Sequence, residues 1–163
     1  GEIAEYLPVL WSEALSVTRD IKYDSSRALS LWAIAEHLLE ALLPEALSVT
    51  REIKDESSRA EALSAIAKHL PTELLTEALE SIQKIEDNYF RANALNSFLP
   101  QLEQLSIPFA EWKDVLNDLS YQNRSALIRS LPEIRPTLIR LANSEEAFTE
   151  TLQSIQDVCQ QWP

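Results

Sequence analysis

Two histidines, His37 and His69, stand 32 residues apart in closely similar stretches of sequence. Histidine binds metals and titrates near neutral pH, so the pair is compatible with a metal site or a pH switch. Helices that pack side by side, however, have axes about 8–10 Å apart, which is too far for one zinc ion to bridge equivalent histidines easily. The third copy has Gln101 at this position. We therefore interpret both histidines as structural residues in the last turn of a helix, where positive charge complements the helix dipole.

Arginines recur with the same spacing, at Arg27, Arg59 and Arg91. Each one begins a predicted helix, where positive charge is unfavourable and requires compensation by a partner. We expect the partners to be equally regular acids, in a ladder of salt bridges between helices or repeats. These acids are Glu13, Glu45 and Glu77. The alternative is that the arginines face a groove and bind an acidic partner.

Two further sets of polar residues are candidates for binding a partner. The first set lies on the solvent side of the predicted first helices and changes along the repeats, as a variable recognition surface would. It consists of Arg19, Lys22, Arg51, Lys54 and Gln83. The second set makes the segment 120–141 locally basic, so that this segment could dock on the acidic repeats, on a second copy or on an attached domain. It consists of Arg124, Arg129, Arg135 and Arg140. For both sets the alternative is an ordinary solvated helix face.

The sequence lacks the patterns of most enzymes. Gly1 is the only glycine, which excludes a glycine-rich phosphate loop, a dinucleotide fingerprint and a nucleophile elbow. Cys159 is the only cysteine, which excludes an internal disulfide and a cysteine-based zinc cluster, and we interpret it as a buried small hydrophobe. We therefore predict a protein that is not an enzyme and that has no cofactor and no metal site. A small hydrolase using scattered carboxylates is the enzymatic alternative.

The charge of the chain limits the class of partner. Its 163 residues include 14 basic and 26 acidic side chains, for a net charge of −12. Nucleic-acid backbones and anionic membranes both select clustered positive charge, so we expect neither as a partner. The sequence also contains no run of 18 apolar residues and no secretory signal, and we predict a cytoplasmic protein.

Internal repetition is the strongest pattern in the chain. Residues 13–44 and 45–76 are identical at 21 of 32 positions, and residues 77–108 match the second copy at 10 of 32. The chain opens inside an earlier copy, residues 1–12, and contains no methionine, so we expect it to be a fragment whose natural protein continues upstream. Residues 109–163 lose the register and are predicted to form divergent C-terminal capping helices.

Each unit reads as two helices. In the first helix Ala14, Val17 and Ile21 share one face, which predicts an amphipathic helix with that face buried. Ser58 and Glu61 have the spacing of a capping box at the start of a second helix. A 32-residue hairpin cannot bury its apolar face alone, so we predict an all-α fold, a right-handed α-solenoid of stacked hairpins. A compact helical bundle is the alternative. We expect the four tryptophans to fill gaps between helices.

The repeat resembles a known type. The stretch Pro44-Glu-Ala-Leu47, with Ile53-Lys-Asp55, Arg59-Ala-Glu-Ala-Leu63 and Ile66-Ala-Lys-His-Leu-Pro71, is similar to the TPR- or HEAT-like short helical repeats of large cyanobacterial proteins. Such repeats often follow a STAND-type NTPase module of the NB-ARC or NACHT class. The ending, from Trp112 to Trp162-Pro163, also looks like the closing segment of such chains. The resemblance implies a C-terminal sensor or scaffold array, and it implies no catalytic residues.

We therefore expect a non-enzymatic module that binds a protein or peptide in the groove of a helical array, as a C-terminal fragment of a larger multidomain signalling protein. A concave face lined by Arg19, Arg51 and Gln83 would favour this reading. The alternative is a structural spacer or self-association scaffold, in which the chain forms a homo-oligomer.

Overall fold

The structure is a computed structural model of the chain, and it describes residues 2–102, 105, 109–121, 128–129, 132, 135–140, 149 and 153. The regular structure of this part of the chain is helical throughout and includes no strand, which confirms the all-α prediction. The helices are α1 (Glu2–Asp20), α2 (Asp24–Ala35), α3 (Leu43–Glu52), α4 (Glu56–Ala67), α5 (Thr72–Gln83), α6 (Asn88–Leu102) and α7 (Phe109–Ser120). A short 3₁₀ turn, Glu40–Leu42, precedes α3.

Acidic residues rather than serines cap two of these helices. Asp55 precedes α4, and its carboxylate accepts hydrogen bonds from the backbone N–H of Ser58 at 2.8 Å and from the hydroxyl of Ser58 at 2.6 Å. Those two hydrogen bonds, the hydroxyl bond first, lower the pKa of Asp55. Asp87 in the same way accepts from the backbone N–H groups of Tyr89 and Phe90 at the start of α6. The predicted capping box of Ser58 and Glu61 is wrong, because α4 begins at Glu56 and leaves Ser58 inside the helix.

The helices pack in two layers. The first layer contains α1, α3 and α5, which contact one another in that order, and the second contains α2, α4 and α6, whose mutual contacts are more extensive. Each first-layer helix also packs against the second-layer helix that follows it, and α7 packs against α6. Leucines at matching positions are buried between the layers. They are Leu15, Leu47 and Leu79 from the first layer, and Leu31, Leu63 and Leu95 from the second.

The described residues of the C-terminal segment extend the same core. Val115 and Leu119 of α7 and Leu138 are buried in one cluster with the repeat leucines. Arg124, Cys159 and Trp162 lie outside the described residues, so the interpretations given to them stay predictions. None of the helices in the described part is both long and apolar enough to cross a bilayer.

One expectation about the buried face fails in the first hairpin. Val17 of α1 is 66% exposed, whereas Val49, its equivalent in α3, is fully buried. The two residues occupy the same place in their helices, but α3 packs against α1 on one side and α5 on the other, while α1 contacts α3 alone among the described helices of its layer. Amphipathic spacing therefore identifies the apolar face of the first-layer helices correctly. Whether that face is buried depends on the presence of a neighbouring helix.

This difference yields a matched pair of variants. Val49→Ala should lower the free energy of unfolding by about 2 kcal/mol, because it removes two methyl groups from a packed site. Val17→Ala should change it by less than about 0.5 kcal/mol, because the side chain is largely in water. Urea unfolding followed by circular dichroism measures both. Equal losses in the two variants would contradict the burial of these positions.

Candidate functional site

The arginines that begin the second-layer helices bind backbone carbonyls. Arg27 donates to the carbonyl of Ile21 at 2.7 Å, Arg59 to that of Ile53 at 3.2 Å, and Arg91 to that of Ile85 at 2.6 Å. These carbonyls lie just beyond the ends of first-layer helices, where the backbone runs out of helical N–H partners. The predicted pairing of these arginines with Glu13, Glu45 and Glu77 is wrong, because each guanidinium instead closes the turn of its own hairpin.

The same arginines reach the next hairpin along the chain. Arg27 also donates to the carbonyl of Glu52 at 3.4 Å, and Arg59 to the carbonyl of Lys84 at 3.4 Å. Arg91 breaks the pattern, since it binds the carboxylate of Asp118 on α7 at 2.8 Å, and this hydrogen bond raises the pKa of Arg91. Arg27 and Arg59 therefore join consecutive hairpins, and Arg91 joins the third hairpin to α7.

Acids at the first residue of α2 and of α4 make the reciprocal link. The Asp24 carboxylate accepts from the backbone N–H groups of Lys54 and Asp55, both at 2.9 Å. The Glu56 carboxylate accepts from the N–H groups of Glu86 at 2.8 Å and Asp87 at 3.0 Å, and these bonds lower the pKa of Glu56. Each acid thus holds the turn of the next hairpin, which places residues 30 and 31 positions apart in direct contact.

Two of the predicted partner-binding residues are engaged inside the first layer. Arg19 lies 3.4 Å from Glu45 and 3.1 Å from Glu52, and it donates to the hydroxyl of Ser48 at 3.4 Å. Arg51 pairs with Glu77 in the equivalent way and donates to the hydroxyl of Ser81 at 3.1 Å. Glu45 and Glu77 therefore belong to a ladder, as predicted, but with Arg19 and Arg51 as its arginines. We call these contacts, together with those of Arg27, Arg59, Asp24 and Glu56, the inter-hairpin ladder.

The other predicted partner-binding residues are more exposed. Lys22, Lys54 and Gln83 are exposed, and the ammonium of Lys22 lies 5.7 Å from the ring centroid of Tyr23. In the basic segment, Arg129 and Arg135 are exposed, and Arg140 donates to the carbonyl of Leu105 at 3.1 Å. Arg124 lies outside the described residues.

A groove crosses the second layer instead. It has a volume of about 790 Å³ and runs over α2, α4 and α6. The α4 side chains that line it are four small ones, which we call the floor, namely Ser57, Ala60, Ser64 and Ala65, and the charged Glu61 and Lys68. Large side chains rise on either side of this floor, namely Leu29 and Trp32 from α2, and Tyr89 and Phe90 from α6. The exposed fractions of Leu29, Trp32 and Tyr89 are 65%, 67% and 58%.

The charges of the groove are partly neutralised. Lys68 and Glu36, at equivalent positions in α4 and α2, form a salt bridge of 3.1 Å. The hydrogen bond from Lys68, and then its charge, lower the pKa of Glu36. Glu61 is exposed, and among the described residues it has no salt-bridge or hydrogen-bond partner. The groove therefore presents one unpaired negative charge beside apolar walls.

Sequence reasoning missed this groove. Trp32 was expected to fill a gap between helices, but it is among the most exposed large side chains, so that interpretation is wrong. Comparison of the repeat copies could have indicated the groove, because a core position keeps an apolar residue in every copy and an exposed position does not. Trp32 is matched by Ser64, and Leu29 by Glu61, whereas a position in the common core keeps leucine, as Leu31 does.

The histidines take no part in the groove. His37 and His69 lie two residues beyond the ends of α2 and α4, and their backbone N–H groups bond to the carbonyls of Ile34 and Ile66. The ring of His37 stacks on Trp11 with centroids 5.0 Å apart. Within the described residues, no three histidine, cysteine or acidic side chains come together as a metal site would require.

Comparison of the chain with protein-family models, with curated proteins and with solved structures finds no match.

The Glu56 contact predicts a pH dependence of stability. A carboxylate whose folded-state pKa is lowered stabilises the fold above its unfolded-state pKa, and the effect is lost as the pH falls through the folded-state value. Glu56→Gln should therefore reduce the free energy of unfolding at pH 7. At pH 3 the free energies of unfolding of the variant and the parent should differ less. Urea unfolding at the two pH values measures this, with Glu80→Gln on the exposed face of α5 as the control. A loss of equal size at both pH values would contradict the role given to the charge.

Proposed function

We propose that the chain is a non-enzymatic protein-interaction module that binds a peptide segment in the groove over α2, α4 and α6. In this proposal the fold is a right-handed α-solenoid with a 32-residue period. The succession of contacts from α2 to α4 to α6 supports it, as does the inter-hairpin ladder, in which Asp24 and Glu56 make the same bonds 32 residues apart.

The observation that carries the proposal is the exposure of Leu29, Trp32 and Tyr89 around one concave surface. Large apolar side chains are costly to leave in water, and contiguous exposed apolar patches on soluble proteins commonly mark interaction sites. Tryptophan and tyrosine are also the side chains most enriched among residues that dominate binding energy. Burying them against a partner would supply the hydrophobic part of the affinity.

The floor and the charges of the groove define the chemistry of the partner. Ala60 and Ser64 leave room for a backbone to approach α4 closely, and Glu61 requires a positive group nearby once water is excluded. The Glu36–Lys68 pair needs no further partner. The occupant that fits is a peptide segment with apolar or aromatic side chains and a lysine or arginine that meets Glu61. The net charge of −12 would attract such a segment from a distance.

Within a larger protein, such a module would act as a C-terminal sensor or scaffold. We propose this role, a STAND-type NTPase as the attached domain and a cytoplasmic location as extensions of the resemblance of the repeats. The exposed residues Lys22, Lys54 and Gln83, with Arg129 and Arg135, offer further contacts to a partner outside the groove.

The second candidate function is a spacer or self-association scaffold. Val9, Leu10 and Val17 favour it, because the three are exposed along α1 and could pack against another helix. A light-scattering mass well above 18.5 kDa at low concentration would support this candidate over peptide binding.

The peptide-binding proposal is tested by selecting displayed random peptides on the immobilised full chain. Peptides bound in the groove should lose at least about 2 kcal/mol of affinity on Trp32→Ala, since a central tryptophan contact is removed. Tyr121→Ala, a second exposed aromatic that lies after α7, is the matched control and should leave affinity unchanged. Selection of no peptides, or equal loss with both variants, would contradict the proposal.

The preference for a basic residue is tested on the same selected peptides. Glu61→Lys should weaken peptides that carry lysine or arginine roughly tenfold or more, because it places like charges together in a partly desolvated groove. Fluorescence titration at about 50 mM and about 500 mM salt should show a smaller difference at high salt. Glu80→Lys makes the same charge change on α5, away from the groove, and controls for net charge. Equal weakening by the two variants would show that Glu61 does not contact the peptide.

A further inference from the structure

The first hairpin, α1 and α2, exposes a face that is covered in the hairpins that follow. The alanine of the repeated Glu-Ala-Leu stretch is half-buried at Ala14 but fully buried at Ala46 and Ala78. The isoleucine after the first-layer helix is half-buried at Ile21 and fully buried at Ile53 and Ile85. The valine of the same face is largely exposed at Val17 and fully buried at Val49. α3 packs against α1, and α5 against α3, whereas among the described helices α1 has no preceding first-layer helix to pack against.

Polar groups on the same face lack the partners that their equivalents have. Glu45 and Glu77 each receive an arginine of the preceding hairpin, whereas Glu13 is exposed and has no such partner among the described residues. The backbone N–H groups of Lys54 and Asp55 bind Asp24, and those of Glu86 and Asp87 bind Glu56. The equivalent N–H groups, those of Lys22 and Tyr23, have no acceptor in the described part of the chain.

The opposite side of the array does not carry the complementary groups. Gln83 stands where the first two hairpins have Arg19 and Arg51, and Asn88 stands where they have Asp24 and Glu56. Arg91 is already bound to Asp118 of α7. Among the described residues, a second copy of this chain therefore offers no matching charged pair at that side, and stacking of the α1 face on the α6 side of another copy is disfavoured.

We propose that the exposed face of α1, with the turn Ile21–Tyr23, is a docking site for a further helical hairpin of the same type. The occupant carries an arginine, an acid five residues later and a second arginine three residues after that. Both donor hairpins of this chain have this spacing, in Arg19, Asp24 and Arg27 and again in Arg51, Glu56 and Arg59.

Each group of the occupant has a defined place. Its first arginine pairs with Glu13, as Arg19 pairs with Glu45. Its acid accepts from the N–H groups of Lys22 and Tyr23, and its second arginine donates to the carbonyl of Asp20, as Arg27 does to that of Glu52. The apolar side chains between them cover Val17. Apolar burial supplies the stability, while the charged groups set the register.

The test is an in-frame duplication of residues 13–44 in the full chain. The new junction joins Pro44 to Glu13, which reproduces the natural junction of Pro44 and Glu45. Two proteins are compared, both with Cys159→Ser. One is the parent chain with Val17→Cys, and the other is the duplicated chain with Val17→Cys in its second copy. Thiol labelling of the second-copy cysteine should be slower than in the parent by about tenfold or more, because the added hairpin buries the site.

A second duplicated chain tests whether the charged residues of the added hairpin are needed for docking, or whether its apolar side chains are sufficient. It carries Arg19→Gln and Asp24→Asn in the first copy only, which are the residues that the third hairpin has at these positions. Protection of the introduced cysteine should then be largely lost. Fast labelling in the unmodified duplication would overturn the docking site, and equal protection in both duplications would overturn the proposed charge signature. Light scattering of the parent chain completes the test, since a dimer in which the introduced cysteine is protected would overturn the proposed occupant in favour of a second copy.

Discussion

The hydrogen bonds between charged side chains and the backbone of the next turn are the constraint on which this structure depends. Where a first-layer helix ends and the next helix begins, the last carbonyls of the first helix and the N–H groups of the turn have no helical partners. Glycine commonly resolves such ends in other proteins, and this chain has almost none. Here arginines supply donors to the carbonyls, and acids supply acceptors to the N–H groups. Because Asp24 and Glu56 bind the turn of the next hairpin, and Arg27 and Arg59 reach it with their second contacts, satisfying the backbone also fixes the relative position of the hairpins.

This arrangement explains why the apolar and polar patterns repeat together. Leu15, Leu47 and Leu79 are buried at equivalent positions, which requires a constant offset between hairpins, and the ladder provides that offset. Partly exposed ion pairs such as Arg19–Glu45 contribute little to stability alone, roughly 0.2–1 kcal/mol. Their value lies in geometry, since a slip of one residue would leave several backbone groups without partners at once.

The helices and their pairing into hairpins could be predicted from the sequence, because the 3.6-residue period and the repeat can both be read directly from it. The partners of Arg27 could not be predicted, because the sequence alone does not distinguish a regularly spaced acid such as Glu13 from a backbone carbonyl oxygen as its acceptor. The groove could not be predicted either. Trp32 looks like a core residue by type, and only the packing of α2 against α4 shows that its side chain points away from the core. The exposure of Val17 depends on a neighbour and has no signature in its own helix.

Among the described helices, the extensive contacts between hairpins are those between neighbouring hairpins. Unfolding energy in such a structure is approximately a sum over units and over the interfaces between neighbours, so different parts can open separately. The α1–α2 hairpin has one such interface, and α4 has two, with α2 and α6. Among the described hairpins, thermal opening should therefore be easiest at α1–α2, and Arg91 adds a contact with α7 that holds α6. The groove wall on α2, which carries Trp32, would then open more often than the floor on α4.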